Sequence, residues 1–262
     1  MIKHLLLDGD ILTYRVAALG LHLDLSKRIL DSTILSISEY LKCTEGTFFL
    51  SGPNQYRRQM SATSKGPDYK GNRTYEPPRI RDDLNRYLVT DYDGILLEGI
   101  EADDGMGILQ SYAMDNLRSN DTCIVTIDKD LDQIPGWHYN YVKKSLYWVT
   151  PTQAERFLEI QMITGDVADN VFGIKGMGIK KANKYIDTGA SVKDLYTCPM
   201  TYERNLILLT ILKDYPPPEY LGKVSYQNLK STLDSCISLL TKSLGGSTLE
   251  GSSTGKPVKA SG

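Results

Sequence analysis

Four short apolar runs constrain the fold of this chain more than any other feature. Each run is continuous rather than alternating and ends at polar or turn residues; the four are LLLD (5–8), TFFLSG (47–52), GILLEG (94–99) and TCIVTIDKD (122–130). Continuous runs of this length predict strands that are buried on both faces of a sheet. Segments with a helical spacing of apolar residues lie between them, as in DLSKRILDSTILSISEYLK, RIRDDLNRYLV and ADDGMGILQSYAMDNL. The alternation predicts an α/β fold with a mainly parallel central sheet flanked by helices.

The pattern changes to helices alone from Thr150 onward. Just before this point, YNYVKKSLYWVT predicts a hairpin, and DYPPPEY later interrupts the helices because proline lacks an amide donor. The last segment, GGSTLEGSSTGKPVKASG, is rich in glycine and serine, which is typical of a disordered tail. We therefore expect an α/β core over residues 1–150, an all-helical region over 151–244 and a tail over 245–262.

Composition limits the classes of partner. The 262 residues carry a net charge of −2 with a pI near 6.0, so binding to nucleic acid would have to come from local patches. One such patch is residues 54–86, which hold eight Lys or Arg residues against four Asp or Glu residues. The four cysteines form no CxxC or Cys/His cluster, which excludes a recognisable zinc site and indicates a reducing compartment. No run approaches the roughly 20 apolar residues of a membrane span, so we expect a cytoplasmic protein.

Carboxylates cluster where the expected strands end. In chain order the clusters are Asp8 and Asp10; Glu101, Asp103 and Asp104; Asp128 and Asp130; and Asp166 and Asp169. Any one of them could be an ordinary helix cap, since aspartate after a strand often accepts from the first amides of a helix. The first three clusters, however, follow strands of one parallel sheet and are expected to meet at one edge of it. Converging carboxylates repel one another, and an all-oxygen donor set suits Mg²⁺ or Mn²⁺, two of which can serve phosphodiester cleavage.

A glycine-punctuated segment, GIKGMGIKKANKYI, follows the last acidic pair. Small residues allow backbone amides to approach a phosphate, and the start of the next helix adds partial positive charge. The same pattern also fits an ordinary helix–turn–helix with a glycine cap and a solvated lysine face. No GxxxxGK[ST] phosphate-binding loop occurs in the chain.

Taken together, the motifs resemble those of the 5′ nuclease family, the flap endonucleases and 5′→3′ exonucleases, and most closely its small bacteriophage members. The matching pieces are LLLDGD, DYKGNR, EADD, TIDKDLDQ and GDVADNVFGIKGMGIKKA, which span roughly residues 5–186. The resemblance implies a FEN-like fold with a helix–hairpin–helix subdomain that binds duplex DNA. It also implies a monomeric, metal-dependent hydrolase of DNA replication in the host cytoplasm. Its substrates would be DNA with a 5′ end, flap or nick, and RNA–DNA hybrids, alongside a replication-protein partner.

The resemblance also implies roles for individual residues. One divalent metal would be held or supported by Asp8, Glu101, Asp103 and Asp104, and a second would be served by Asp128, Asp130, Asp166 and Asp169. Contacts to the reacting phosphate would come from Arg15, Lys70 and Arg73, while Tyr69 would stack on a terminal base. Duplex backbone would be held by Gly173, Lys175, Gly176, Gly178, Lys180 and Lys181. The backbone of the three glycines would also bind K⁺.

Two features depart from the family pattern. The family carries an aspartate after its second strand, where this chain has Ser51, Gly52 and Asn54. One metal position is therefore expected to be weaker, or to use Asp10 as a substitute. The arch region, residues 53–79, is also compact, which is expected to alter the selection of free 5′ ends.

Two other hypotheses compete with a nuclease. In a haloacid-dehalogenase-type phosphatase, Asp8 would be a covalent nucleophile and Asp10 the general acid, but EADD, IDKD, DYKGNR and GIKGMG would have no role. A catalytically weak DNA-binding protein would explain the missing aspartate near Ser51. Unused acidic residues facing DNA would weaken such binding, which argues against this hypothesis.

Overall fold

The computed structural model describes residues 1–74 and 76–245. A six-stranded sheet lies at its centre in the order β3-β2-β1-β4-β5-β6. Its strands are β1 (His4–Asp8), β2 (Gly46–Ser51), β3 (Ile95–Leu97), β4 (Thr122–Val125), β5 (Gly136–Asn140) and β6 (Ser145–Val149). Neighbours from β3 to β5 pair in parallel, and β6 pairs antiparallel with β5 as the second half of a hairpin. The expected mainly parallel sheet and the hairpin are confirmed.

Helices cover both faces of the sheet. In chain order they are α1 (Gly9–Ala17), α2 (Leu23–Leu41), α3 (Tyr56–Thr63), α4 (Arg81–Asp91), α5 (Ala102–Asp115), α6 (Pro151–Thr164), α7 (Ile179–Ile186), α8 (Pro199–Leu209), α9 (Pro218–Leu221) and α10 (Lys223–Ser243). One apolar layer packs α1, α2 and α4 on the sheet, and a second packs α5 and α10 on its other face. A third cluster holds α6, α7 and α8 together. Continuous burial of β1 and β4 explains why these strands are apolar without alternation.

Helix α1 has no counterpart among the sequence expectations. It begins directly after β1, with Asp8 as its cap, and buries Leu12 and Val16 at helical spacing. Gly9 allows this abrupt turn, since a Cβ there would lie 2.7 Å from the Phe49 carbonyl oxygen. The helix is only nine residues long, too short for its periodicity to stand out in the sequence.

The expectation of helices alone after Thr150 is wrong at one point. Residues Gly165–Asp166 (β7) and Val171–Phe172 (β8) form a small antiparallel hairpin, so GDVADN is not helical. The Asp166 carboxylate accepts from the Ala168 and Asp169 amides, which closes a turn instead of a helix. Gly165 has a φ of 73° and packs against the backbone of Gly173, a position that admits only glycine.

The expected domain bounds stay predictions. Strand β6 ends at Val149 and α6 begins at Pro151, at the point where the sequence pattern changes. The expected tail, residues 245–262, lies outside the described residues apart from Gly245. Among residues 1–74 and 76–245, no helix has both the length and the apolarity to cross a membrane.

Candidate active site

Asp8 lies at the centre of the carboxyl edge of the sheet, where β1 ends. Its carboxylate accepts from the Ile11 amide at 3.0 Å and from the Thr126 hydroxyl, beyond the end of β4, at 2.8 Å. Burial and, to a lesser extent, the charges of Asp10 and Asp128 raise its pKa to about 7, and the two hydrogen bonds limit the rise. Asp8 is therefore fixed in place among other acids that disfavour its charged form.

Asp10 lies two residues after Asp8, in the first turn of α1, and its side chain reaches the end of β2. Its carboxylate accepts from the Ser51 amide at 3.0 Å, and the Ser51 hydroxyl accepts from the Ala102 amide at the start of α5. Burial raises the pKa of Asp10, and Glu101 adds to the rise. The Asp10 carboxylate is therefore bonded to the backbone of the residue that stands where the family pattern has an aspartate.

The acids after β4 and in the β7–β8 hairpin extend the same cluster. Asp128 caps the short 3₁₀ turn Lys129–Gln133, and Asp130 accepts from the Gln161 side chain at 2.9 Å. Burial raises the pKa of Asp130 to about 7, with further contributions from Asp128, Asp166 and Asp169. The hairpin thus brings the fourth acidic pair to the edge where the strand ends already meet, as the sequence predicts for the first three.

Glu101, the cap of α5, is surrounded by cations and a hydroxyl. It accepts from Arg57 at 3.1 Å, from the Tyr69 hydroxyl at 2.8 Å and from the Lys70 ammonium. Burial alone would raise its pKa, but Lys70 and Arg57 outweigh burial and hold the pKa at about 2. Asp103, two residues after Glu101 in the first turn of α5, has the opposite environment. Burial and the charges of its acidic neighbours raise its pKa well above the usual range.

Lys70 and Arg73, which are expected to contact the reacting phosphate, pair with acids of the cluster in this structure. Lys70 lies 3.8 Å from Asp169 as well as bonded to Glu101, and Arg73 donates to Asp169 at 3.1 Å. Lys70 adopts a φ of 56°, and its amide donates to the Asp169 carbonyl oxygen at 2.9 Å. The DYKGNR segment is thus joined to the hairpin by both backbone and side chains.

The side chain of Tyr69 is buried, whereas its expected role requires an uncovered ring. The residue is 3% exposed, and its hydroxyl donates to Glu101 and to Asp169 at 2.9 Å. Its ring packs in the apolar cluster of α6, α7 and α8. Tyr69 joins the two acidic groups in this arrangement, and stacking on a terminal base, which would require the ring to be uncovered, stays a prediction.

Asp104 has a supporting position, one of the two roles that the resemblance allows for its group. It is fully buried, and its two oxygens pair with Arg57 at 2.6 Å each. One of these oxygens accepts from the Leu212 amide as well. With both oxygens occupied in this way, Asp104 supports the site through Arg57 and is not placed to bind a metal directly.

The comparisons with known proteins agree with this geometry. No family model matches the chain. The chain is 28% identical over 230 residues to DNA polymerase I of Streptococcus pneumoniae serotype 4, which covers 74% of this chain and 25% of the polymerase. It is 31% identical over 137 residues to a 5′-3′ exonuclease of Bacillus subtilis (strain 168), which covers 45% of each. The chain therefore spans about a quarter of the length of the polymerase relatives that it matches.

Solved structures agree over nearly the whole chain. The T5 D15 protein, co-crystallised with metal ions, superposes with a TM-score of 0.65 at 18% identity, covering 92% of this chain and 98% of that one. The bacteriophage T5 D15 flap endonuclease in a complex with DNA and metal ions gives 0.66 at 17% identity, covering 90% and 98%. At this identity the likeness shows the shared fold. The resemblance to the 5′ nucleases is confirmed.

Within this 5′ nuclease fold, the glycine turn is exposed and lies apart from the acids. Gly176 has a φ of 79°, and Gly178 caps α7. Lys175, Lys180 and Lys181 are exposed, and the Lys181 ammonium donates to the Gly176 carbonyl oxygen at 2.9 Å. An oxygen expected to bind K⁺ therefore accepts from an ammonium group in this arrangement.

Arg15, which is expected to contact the reacting phosphate, is exposed. It is in the last turn of α1, and it lines a cleft between α1, α2 and the end of β5. Within residues 1–74 and 76–245 it forms no ion pair with a carboxylate. Unlike Lys70 and Arg73, Arg15 is therefore not paired with an acid, and its contact with the reacting phosphate stays a prediction.

Arg57 is the main site residue that sequence reasoning missed. It is 2% exposed, contacts Glu101 and Asp104, and donates to the Thr210 carbonyl oxygen at 2.5 Å. In the sequence it is one of eight cations between residues 54 and 86, and no pattern distinguishes it from Arg58 beside it. Only the packing of α3 against α5 and the chain after α8 selects it.

The donor set fits a divalent cation in its chemistry. The oxygen donors gathered at this edge are mainly carboxylates, several of which are buried, and a hard cation relieves their mutual repulsion. As placed, no three acidic side chains of the described chain are close enough together to hold an ion. Lys70 instead bridges Glu101 and Asp169, so ion binding at this position requires its ammonium to move away.

Proposed function

We propose that the chain is a divalent-metal-dependent 5′ nuclease that hydrolyses phosphodiester bonds near the 5′ ends of duplex DNA. The observation that carries the proposal is the convergence of acids from three strand ends and one hairpin, with Lys70 and Arg73 among them. A phosphate approaching this edge would meet the cations of Lys70 and Arg73, and the acids would hold the metal. The relatives named as 5′-3′ exonucleases support this activity.

The residues divide the work in the proposed reaction. Asp8, Asp10, Glu101 and Asp103 would hold one Mg²⁺ or Mn²⁺ ion, and a second would be held by Asp128, Asp130, Asp166 and Asp169. A bound ion of this kind supplies Lewis acidity toward water and phosphate. Lys70 and Arg73 would leave their carboxylates to bind the reacting phosphate. Arg57 and Tyr69 would keep Glu101 oriented while Lys70 moves.

The substrate would be bound at two places. Lys175, Lys180 and Lys181, beside the exposed glycine turn, would hold duplex backbone, with K⁺ as an additional ligand of the turn when the Lys181 ammonium leaves Gly176. Flapped or nicked DNA and RNA–DNA hybrids, action as a monomer in phage DNA replication, and a replication-protein partner belong to the same proposal. The polymerase I relatives and the T5 fold support a replication role.

A cleavage assay tests the proposal. The purified chain is mixed with a 5′-labelled flap duplex in Mg²⁺, in Mn²⁺ and in EDTA, beside the variant Asp128→Asn. Release of short 5′ products that requires metal and is lost in the variant is the expected result. Hydrolysis of a small phosphomonoester without attack on DNA would indicate the phosphatase, and tight DNA binding without cleavage in any metal would indicate a binding protein.

A further inference from the structure

An open cleft of about 620 Å³ lies beside the acidic edge and takes no part in the proposed reaction. Its walls are the second half of α1, one face of α2 and the chain that follows β5. Its floor is apolar and includes Leu12, Val16 and Ile37. It is large enough for a nucleotide unit, and its mouth is open to solvent.

The rim of the cleft carries only positive formal charge. Arg15, Arg28 and Lys144 line it, and the lining contains no aspartate or glutamate. In the part of the chain that the structure describes, none of the three cations pairs with a carboxylate. All three cations are exposed, as lysine and arginine usually are, so the informative feature is that they surround one cleft whose lining contains no acid. Uncompensated cations around an apolar floor suit a ligand with phosphates and a flat apolar part.

Tyr141 connects the cleft with the acidic edge. It follows β5, whose carboxyl end lies at the same edge of the sheet as those of β1 and β4. The charges of Arg15 and Asp8 both reach its hydroxyl. That hydroxyl is buried and has no hydrogen-bond partner among the described residues. It is therefore a polar group available to a ligand that extends from Asp8 toward Arg15.

We infer that the cleft binds a single-stranded segment of the DNA substrate, next to the bond that is cut. Arg15, Arg28 and Lys144 would contact successive phosphates, and an unpaired base would lie on the apolar floor against Tyr40, which is half exposed. The inference rests on the proposed nuclease function. A duplex with no unpaired nucleotides would fill the cleft poorly, because taking a paired base out of the stack costs unpairing and unstacking energy.

The test compares two double variants with equal changes in charge. Arg28→Glu/Lys144→Glu reverses two rim cations, and Lys27→Glu/Lys143→Glu reverses their chain neighbours, neither of which lines the cleft. Fluorescence anisotropy in Ca²⁺ measures the Kd for a 5′-overhang duplex and for a blunt duplex. We expect the rim variant to weaken overhang binding about tenfold and blunt binding less than about twofold. Its salt slope on the overhang should fall by about 1.4, since each phosphate contact to a single strand contributes about 0.7.

Five outcomes would overturn the inference. Equal losses on the two DNAs would indicate general electrostatic attraction, and equal losses in the two double variants would exclude a role specific to the cleft. Competition by dAMP at the affinity of the overhang would identify a site for free mononucleotide. If the wild type cuts DNA and the rim variant binds the overhang as tightly as the wild type does, the role of the cleft is refuted and the nuclease proposal stands. A wild-type protein that neither binds nor cuts DNA would refute both proposals.

Discussion

At the scale of single residues, the contact between Asp10 and Ser51 bears most directly on how the metal-binding set is completed. The chain lacks an aspartate after β2, and Ser51 stands there instead. The carboxylate bonded to the Ser51 amide belongs to Asp10, which comes from the first turn of α1. One negative charge thus reaches the end of β2 from a neighbouring element.

Removing this charge should weaken metal binding in a way that Ser51 can repair. We expect Asp10→Asn to reduce Mn²⁺ affinity about tenfold, because a carboxylate is lost from the donor set. Adding Ser51→Asp to this variant should restore most of the loss, since it returns a carboxylate to the same place. Calorimetric titration of Mn²⁺ measures both effects without DNA. Asp24→Asn, also in the first turn of a helix, is the control; equal effects of the Asp10 and Asp24 substitutions would contradict the assignment.

The sequence predicts which residue types meet at the edge but not the state of each one. Asp8, Asp130 and Lys70 lie in the predicted cluster because the strand ends share an edge. Tyr69 and Asp104 carry the right sequence pattern yet are buried in contacts that no spacing encodes. Their environments depend on Arg57 and on the hairpin, which are distant in the chain and become neighbours only on folding.

At the scale of elements, Arg57 joins α3 to the start of α5 and to the chain after α8. Replacing it should leave the Asp104 charge buried without a partner. We expect Arg57→Met to lower the free energy of unfolding by about 3–5 kcal/mol, measured by urea denaturation in EDTA. Arg57→Met/Asp104→Leu should recover much of the loss, because both charges are then removed together.

Arg58→Met is the matched control for that experiment. Arg58 is the exposed neighbour of Arg57 on α3, and its substitution should change stability by less than about 0.5 kcal/mol. Equal losses for the Arg57 and Arg58 variants would mean that the buried contacts contribute nothing beyond helix content.

His4 provides a second link between elements, from β1 to β2 and α10. Its ring nitrogens bond to the Thr47 hydroxyl at 2.9 Å and the Ser243 hydroxyl at 3.0 Å, and burial lowers its pKa to about 4. The unfolded chain therefore binds a proton at this residue as pH falls through 6.5, while the folded chain does not until about pH 4. The stabilisation is present above pH 6.5 and is lost progressively from there to pH 4.

His4→Gln should flatten this acid loss. We expect the difference in unfolding free energy between pH 7 and pH 4.5 to be smaller in the variant than in the wild type, as measured by urea titrations in EDTA. His22, which is exposed at the start of α2, is the control. An unchanged pH dependence in His4→Gln, equal to that of His22→Gln, would show that His4 titrates alike in both states.

Elements were predictable where their patterns were long or extreme. The buried strands and α2, α5 and α6 follow from continuous apolar runs or sustained helical spacing. Helix α1 and the β7–β8 hairpin escaped because they are short and because their geometry is set by local contacts. Gly9 permits the first, and the Asp166 side chain closes the second.

At the scale of the whole molecule, negative and positive charges gather in separate places. The acids lie on one edge, the exposed lysines follow the glycine turn, and the cleft carries its own cations. The sequence predicted the first two because each lies in one motif or at one set of strand ends. The cleft is formed by α1, α2 and the chain after β5, so no single segment of the sequence predicts it.

The lysines of the glycine turn should control duplex binding and its dependence on salt. We expect Lys180→Ala/Lys181→Ala to weaken binding of a blunt duplex and to lower the slope of log K against log salt by about 1.8, two contacts at about 0.9 each. Anisotropy at several salt concentrations measures this. Lys223→Ala/Lys242→Ala, at the two ends of α10, removes the same charge elsewhere and should leave the slope unchanged. The same slope in both pairs would refute a backbone contact at the turn.

The short β7–β8 hairpin links the last acidic pair to the glycine turn. Asp166 and Asp169 lie at one end of it, the glycine turn follows at the other, and Gly165 and Gly173 pack backbone to backbone between them. The connection is short and closely packed, which sets the distance between the glycine turn and the acids. In the proposed reaction, where the turn holds duplex and the acids hold metal, lengthening the hairpin by a residue pair would move the cut to a different nucleotide, whereas mutations at either end alone would change only the rate of cutting.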